Sequence, residues 1–188
     1  MKRARTLYWI IPCSSTKVIL VKALCYYKTE VNEMNWNGKD TESFQQQKEY
    51  VDTALVPLVP ISFESDMKET ASQHEFVQLL TMLLEKQFKG RILLIPPFTY
   101  IKQQEEEEKL AALKRWSDEI DNAGFKHKLF FTSDSNWKLA EDKIDGSLIW
   151  VPAVPLEHME DSYKYSLIED QAKQFVNIIV HKWQQDLS

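Results

Sequence analysis

Short apolar runs alternate with helical stripes along most of this chain, and this alternation constrains the fold more than any other feature. Three of the runs follow a glycine: RILLIPP follows Gly90, FKHKLFFTS follows Gly124 and SLIWVP follows Gly146. An earlier run, ALVPLVPIS, occupies residues 54–62. Short continuous apolar runs that are bounded by glycine and proline are typical of strands buried on both faces, as in a parallel sheet.

The segments between these runs place apolar residues three or four positions apart, which is typical of amphipathic helices. One segment starts with glutamates and has Lys114 and Arg115 later, an order that suits the helix dipole. The predicted helices cover residues 41–50, the segment from Ser65 or Asp66 to Gly90, the segment from Glu105 to Gly124, residues 136–142, and the segment from Ser162 onward, with Ile168, Ala172, Phe175, Ile179 and Trp183 on one stripe.

Strand and helix therefore repeat along the chain, which predicts a parallel sheet with helices on both faces. The fold class that we expect is α/β, a three-layer sandwich with a small, mainly parallel sheet of about four strands, flavodoxin-like or Rossmann-like. Pro57 and Pro60 lie in the first apolar run and lack the amide hydrogen that a strand ladder uses. That strand is therefore expected to begin after Pro57 or to lie at an edge of the sheet.

The first 33 residues differ from the rest of the chain in charge and in cysteine content. They hold six basic and two acidic residues, a net charge of +4, whereas the whole chain carries −5, so residues 34–188 carry −9. Both cysteines, Cys13 and Cys25, also lie in this leader. A basic leader with cysteines thus precedes an acidic body without them.

Three explanations of this leader stay open. A secretory signal needs an apolar run of roughly 7–15 residues, and Pro12 and Lys22 interrupt the candidates. We favour a translation start at Met34, since residues 29–31 can be encoded by a ribosome-binding sequence just upstream of it. The third explanation is a genuine appended strand or helix.

Residues 1–33 are accordingly expected to be a non-native or disordered extension, and residues 34–188 a single α/β domain, because typical domains have about 100–150 residues. No apolar run approaches the ~20 residues that cross a bilayer, so membrane insertion is not expected. Nucleic acid is not an expected partner, because binding phosphates needs a basic patch. A body without cysteine suits a reducing compartment, and we expect a cytoplasmic protein.

Two stretches of the body resemble a known family. Residues 48–61, KEYVDTALVPLVPI, and residues 88–100, FKGRILLIPPFTY, are similar to the YpiF family of Bacillus and its relatives, a domain of unknown function. The resemblance runs from Met34 to the C-terminus and brings no catalytic residues with it. Genes of that family often lie beside those for a menaquinol:cytochrome c reductase, so the resemblance implies a link to a respiratory complex through gene neighbourhood only.

A parallel sheet places its binding sites beyond the carboxyl ends of its strands, near a topological switch point. In this sequence the expected strand ends hold hydroxyls, carboxylates, aromatic rings and one histidine. Such side chains could orient a small polar ligand, although serine, threonine and aspartate also cap helices and form turns. The candidate ligand or partner surface consists of Ser62, Asp66, Thr99, Tyr100, Ser133, Asp134, Trp150, Glu157 and His158.

No catalytic motif has adequate spacing, so whether the chain is an enzyme stays open, and we favour a protein that is not one. The glycines are single and the histidines unpaired, so neither a cofactor nor a metal is expected. The favoured function is a small binding or accessory protein that recognises an unknown protein or small molecule at the carboxyl edge. The alternative is a small α/β hydrolase of a phosphorylated or nucleotide-like substrate, with Asp134 and His158 as acid and base and Ser62 or Ser133 orienting the substrate.

Overall fold

The computed structural model describes residues 35–185, and the predicted extension lies outside the described residues, so its nature stays a prediction. The strands are β1 (Thr53–Ile61), β2 (Ile92–Leu94), β3 (Phe98–Ile101), β4 (His127–Thr132) and β5 (Ser147–Trp150). The helices are α1 (Gly38–Gln46), α2 (Met67–Gln87), α3 (Glu106–Asn122), α4 (Asn136–Leu139) and α5 (Asp161–Gln185), with a 3-10 turn at Glu141–Lys143.

The described strands form one parallel sheet in which β1 is central. On one side of β1 lies β4, followed by β5. On the other side β2 pairs with the first residues of β1 and β3 pairs with its last residues, so these two short strands share one position. With β2 and β3 counted as one position and positions numbered along the chain, the order across the sheet is second, first, third, fourth. This is the flavodoxin-like order without its fifth strand.

Helices cover both faces of this sheet. Leu129 and Phe130 are neighbours in β4 but belong to different apolar clusters, because successive strand residues point to opposite faces. The cluster with Leu129 includes α2 and α5, and the cluster with Phe130 includes Leu113 of α3 and Trp137 of α4. The prediction of an α/β three-layer sandwich is confirmed.

The helices lie close to where their sequence patterns predict them. The first begins at Gly38 rather than at residue 41, because Asn37 caps it by accepting a hydrogen bond from the backbone N–H of Asp40 at 3.0 Å. The predicted stripe of α5 is buried along its length. Within residues 35–185, none of the helices has both the length and the apolarity that are needed to cross a membrane.

The expectation that β1 begins after Pro57 or lies at an edge is wrong. The strand begins at Thr53, contains Pro57 and Pro60, and lies at the centre of the sheet. Odd-numbered residues of β1 direct their backbone groups toward β2 and β3, as the Leu55 carbonyl does in accepting from the N–H of Ile95 at 2.9 Å. Pro57 therefore faces the interruption between β2 and β3, where Pro96 and Pro97 lie. Its missing amide falls where the ladder is already broken.

Pro60 does not interrupt the hydrogen-bond ladder on the other side of β1. Even-numbered residues face β4, as the Asp52 carbonyl does in accepting from the N–H of Lys126 at 2.8 Å. The last pair between these strands joins Leu58 to Thr132, so Pro60 lies beyond the paired segment. Both prolines are compatible with a central strand because neither removes a hydrogen bond that the sheet makes.

The amino edge of the sheet is held by four side chains that we name the amino-edge cluster: Asp52, Thr53, Arg91 and Trp183. The indole N–H of Trp183 donates to Thr53 Oγ1 at 2.9 Å, and Thr53 Oγ1 donates to Asp52 Oδ1 at 2.8 Å. Arg91 donates twice to the Asp52 carboxylate and lies 3.7 Å above the Trp183 ring. Burial raises the pKa of Asp52, but the hydrogen bonds from Arg91 and Thr53 outweigh it and hold that pKa below its usual value.

Candidate ligand-binding cleft

An open cleft of about 820 Å³ lies at the carboxyl edge of the sheet, and we name it the carboxyl-edge cleft. Three segments contribute to its lining, which consists of Ser65, Asp66, Lys68, Glu69, Ser72 and Gln73 at the start of α2, Ser133 and Ser135 after β4, and Trp150, Pro152, Ala153, Pro155 and Glu157 from the end of β5 onward. The chain leaves β1 toward β2 on one side and later returns to β4 on the other, so the strand order reverses between β1 and β4. The cleft therefore lies near the switch point where ligands of open α/β sheets bind.

Asp66 lies at the mouth of this cleft, at the N-cap position of α2. Its carboxylate makes no capping hydrogen bond to the helix backbone. It accepts instead from Ser62 Oγ and pairs with Lys102 Nζ at 2.8 Å, and Gln103 Nε2 donates to the same serine at 3.1 Å. The hydrogen bond from Lys102, followed by that from Ser62, lowers the pKa of Asp66. The end of β1 is thus tied to the loop after β3.

A second buried network fixes the loop between β4 and α4. Tyr100 Oη donates to Asp134 Oδ2 at 2.8 Å and accepts from the indole N–H of Trp137 at 2.7 Å. The other carboxylate oxygen of Asp134 accepts from the backbone N–H of Asn136 at 3.0 Å. Burial, reinforced by the negative charge of Asp134, raises the pKa of Tyr100 far above its usual value. Both oxygens of this carboxylate are therefore occupied within the fold.

Thr99 and Tyr100 were expected in a loop after a strand, and the structure places them inside β3. After the interruption at Pro96 and Pro97 the chain pairs with β1 again, so the strand position continues. Side chains alternate along β3, with Tyr100 buried and Thr99 exposed. Thr99 does not line the cleft. Tyr100 does not line it either, but its hydrogen bond to Asp134 fixes the loop that carries Ser133.

The three catalytic candidates do not form one hydrogen-bonded set. His158 is exposed in the turn before α5, and within the described part of the chain no hydrogen bond or ion pair joins it to Asp134 or Ser62. Its neighbour Glu157 lines the cleft and pairs with Lys68 Nζ at 2.9 Å, which lowers the pKa of Glu157. The residues that the structure does bring together at the cleft are Asp66, Ser133, Trp150 and Glu157.

Sequence inspection missed the wall of the cleft that α2 contributes. Lys68, Glu69, Ser72 and Gln73 all line it. They lie at steps of three to four residues, so they share one face of the helix. A polar stripe of this kind is usually a solvated face. This one begins at Lys68, in the first turn of the helix that follows β1, and that position was the signal available in the sequence.

Three of the residues that line this cleft each contain a buried polar atom without a hydrogen-bond partner among the residues that the structure describes. Among residues 35–185, four buried side-chain atoms have no hydrogen-bond partner. One of them is Nδ1 of His74, a residue that does not line the cleft. The other three are Gln73 Oε1, Ser133 Oγ and Trp150 Nε1, which we name the unpartnered atoms. Native folds leave few such atoms, so their occurrence in residues from all three segments that line one cleft requires an explanation.

One group of carboxylates in the described residues has the spacing of a cation site. Oxygens of Asp118, Asp121 and Asp145 lie within 4.8 Å of one another, and all three residues are exposed. Lys114 pairs with Asp118 at 2.7 Å, and Lys128 pairs with Asp121 at 2.7 Å and with Asp145 at 3.1 Å. The hydrogen bond from Lys128, followed by that from Lys114, lowers the pKa of Asp145. The group is therefore explained as an ion-pair network.

Fold and cleft together define a small doubly wound α/β protein with a polar cleft at the switch point of its sheet. Residues 42–183 match the family model described as "Protein of unknown function (DUF2487)", and the chain belongs to this family. It is also similar to "Uncharacterized protein YpiF" of Bacillus subtilis (strain 168), with 37% identity over 150 residues that cover 80% of this chain and 98% of the relative. No solved structure matches the chain. The resemblance to the YpiF family is thus confirmed.

Proposed function

We propose that this chain is a small cytoplasmic binding or accessory protein that recognises a small polar ligand in the carboxyl-edge cleft. The observation that carries the proposal is the occurrence of the unpartnered atoms in residues that line that cleft. A buried polar atom without a hydrogen bond destabilises a fold by about 1–3 kcal/mol. A ligand in the cleft offsets this loss once these side chains turn toward it, and one such atom in each of the three lining segments favours that explanation over a packing defect.

The cleft also has the rigid frame that a binding site needs. The Asp66–Lys102 pair holds one wall and the Tyr100–Asp134 hydrogen bond holds the loop that carries Ser133. Pro152 and Pro155 restrict the backbone of the third wall, because proline fixes φ. Small-molecule sites are concave, largely preformed and lined by a few convergent polar groups, and these features match that description.

The hydrolase alternative has less support from the geometry. A general base must lie within hydrogen-bond reach of the proton that it removes. The carboxylate of Asp134 is buried and already accepts from Tyr100 and Asn136, and His158 is exposed outside the cleft lining. Hydrolysis of a phosphorylated or nucleotide-like substrate therefore stays a prediction, and neither Asp134 nor His158 lies in position to act as its acid or base.

A protein partner remains the other kind of ligand that the sequence left open. The residues that carry the unpartnered atoms favour a small molecule, because they line a concave cleft rather than a protruding surface. The link to a respiratory complex rests on the gene neighbourhood of the family and stays a prediction.

The proposal can be tested by filling the cleft from α2. Ser72 lines the cleft, whereas its exposed neighbour Ala71 does not, so Ser72→Trp should block binding and Ala71→Trp should leave it intact. We expect a small-molecule extract of the producing cell to raise the Tm of the wild type and of Ala71→Trp, but not that of Ser72→Trp. An equal rise in all three proteins would place the binding elsewhere, and no rise in the wild type would count against a small-molecule ligand.

A further inference from the structure

We infer that the ligand of the carboxyl-edge cleft is uncharged and carries groups that both donate and accept hydrogen bonds, as hydroxyls and amides do, and that the cleft discriminates against phosphorylated forms of such molecules. This inference rests on the proposed function and specifies the chemical class of its ligand. Three properties of the cleft support it: the hydrogen-bonding roles of the unpartnered atoms, the charges of the lining, and the apolar third wall.

The unpartnered atoms are buried, so each meets the ligand only after its side chain rotates, and together they then need both a donor and an acceptor from the ligand. Gln73 Nε2 donates to Glu69 Oε1 at 3.1 Å, and because a carboxylate only accepts, this bond fixes the orientation of the amide and leaves Gln73 Oε1 as an acceptor. The indole N–H of Trp150 can only donate, and the Ser133 hydroxyl can do either. A phosphate dianion has no proton to give Gln73, and an ammonium group cannot accept from Trp150. A hydroxyl or an amide satisfies both.

The charges of the lining act in the same direction. The cleft lining contains three carboxylates, those of Asp66, Glu69 and Glu157, and one ammonium group, that of Lys68. Lys68 already pairs with Glu157 at 2.9 Å, and Lys102 pairs with Asp66 at 2.8 Å. An incoming dianion would meet carboxylates whose cations are engaged, so Coulomb repulsion opposes it. An uncharged ligand meets no such repulsion, and its hydroxyls can donate to the exposed carboxylate of Glu69.

The third wall supplies an apolar surface for the carbon skeleton of the ligand. Pro152, Ala153 and Pro155 follow β5 along this wall. Ser133 is 6% exposed and its hydroxyl oxygen is buried, so contact with the ligand requires rotation about the Cα–Cβ bond between staggered rotamers. A ring that is apolar on one face and hydroxylated or amidated at its rim fits this combination of walls.

Two matched pairs of probes test the class of ligand. Glucose and glucose 6-phosphate present hydroxyls without and with a phosphate, and uridine and uridine 5′-monophosphate add an amide edge. The readout is the ¹H–¹⁵N resonance of the Trp150 indole, which Trp150→Phe assigns among the six tryptophans. We expect at least one uncharged probe to shift this resonance and its phosphorylated counterpart to bind at least about tenfold more weakly. A shift with glucose identifies hydroxyls as sufficient, and a shift with uridine alone identifies the amide edge.

Variants separate this inference from the proposed function. Ser133→Ala and Gln73→Leu should each weaken the effective probe by about tenfold, whereas Ser43→Ala on α1, outside the cleft, should leave its affinity unchanged. Equal or tighter binding of a phosphorylated probe would overturn the inference and leave the binding proposal standing. Failure of all four probes to shift the Trp150 resonance would also overturn it, and the Ser72→Trp comparison with cell extract would still decide whether the cleft binds a ligand.

Discussion

The two edges of this sheet differ in how completely their buried polar groups are hydrogen-bonded. At the amino edge, Thr53 Oγ1 both donates to Asp52 and accepts from Trp183, so the hydroxyl is fully used. At the carboxyl edge, Ser133 Oγ has no partner in the part of the chain that the structure describes. A completed polar network specifies and stabilises a fold, whereas an incomplete one destabilises it. The networks around Asp66 and Asp134 at the carboxyl edge are complete, so the difference is confined to residues that line the cleft, and it is the difference that the proposed binding function predicts.

Trp183 at the amino edge and Trp150 at the carboxyl edge allow the two edges to be compared with the same type of side chain. Each has a cation over its ring: Arg91 lies 3.7 Å from the ring of Trp183, and Lys138 lies 4.2 Å from that of Trp150. The indole N–H of Trp183 donates to Thr53, whereas that of Trp150 has no acceptor among the described residues. The same substitution at the two positions therefore differs in the hydrogen bond that it removes as well as in the area that it exposes.

The largest expected effect is that of Trp183→Ala, which should lower the free energy of unfolding by about 3–5 kcal/mol. The ring is 5% exposed, packs edge-on against Phe88 and supports Arg91, so its removal leaves a cavity and breaks the amino-edge cluster. Trp150→Ala at the half-buried site should lower it by less than half as much. Urea denaturation of both variants measures the difference. Equal losses would remove the proposed contrast between the edges.

Thr53→Val should give the next largest effect, a loss of about 1–3 kcal/mol in the free energy of unfolding. Valine keeps the volume of the side chain but leaves the N–H of Trp183 buried without an acceptor and removes a donor to Asp52. A double-mutant cycle with Trp183→Phe should show a coupling of at least about 0.5 kcal/mol, because the two side chains share one hydrogen bond. Additive losses would mean that this bond contributes nothing to stability.

A smaller effect is expected from the charge of Asp52, and it should depend on pH. Because the folded pKa lies below the ordinary value of 3.8, the stabilisation by the ionised carboxylate is complete above pH 3.8 and is lost as the pH falls through the folded pKa. Relative to Asp52→Asn, the wild type should be more stable by less than about 1 kcal/mol, since Arg91 is partly exposed to solvent. Urea denaturation across the acid range should show this advantage constant above about pH 5 and shrinking below about pH 4. An advantage that grew toward low pH would show that the pKa of Asp52 is raised.

The elements that the sequence predicts well are those whose pattern depends on local spacing. The stripe of α5 and the apolar runs of β4 and β5 need only a period of 3.6 or a continuous run to be recognised. The strand β3 was missed because Pro96 and Pro97 precede it and are typical of a strand end. The central position of β1 depends on which neighbour the missing amides of Pro57 and Pro60 face, and that depends on a register that local sequence does not contain.

The candidate site divides in the same way. Of the candidates that the strand-end rule predicts, Asp66, Ser133, Trp150 and Glu157 line the cleft, because strand ends can be located from sequence; their role in binding stays a prediction. That Ser133 has no partner within residues 35–185 could not be predicted, since it depends on every side chain that packs around it. The most informative feature of the cleft is therefore a property of the folded arrangement, not of any residue type.

The smallest stability effect, and the sharpest contrast, is expected from Ser133→Ala. Removing a buried hydroxyl that has no partner in the described residues removes a desolvation penalty and no hydrogen bond, so the free energy of unfolding should stay unchanged or rise by up to about 1 kcal/mol. The matched control is Ser117→Ala, because Ser117 is 1% exposed and its hydroxyl donates to the Asp145 carbonyl at 2.8 Å. That variant should lose about 0.5–1.5 kcal/mol. If Ser133→Ala is as unstable as Ser117→Ala, the hydroxyl has a structural partner and the carboxyl edge is no less complete than the amino edge. A serine whose removal spares stability but weakens ligand binding is retained for binding.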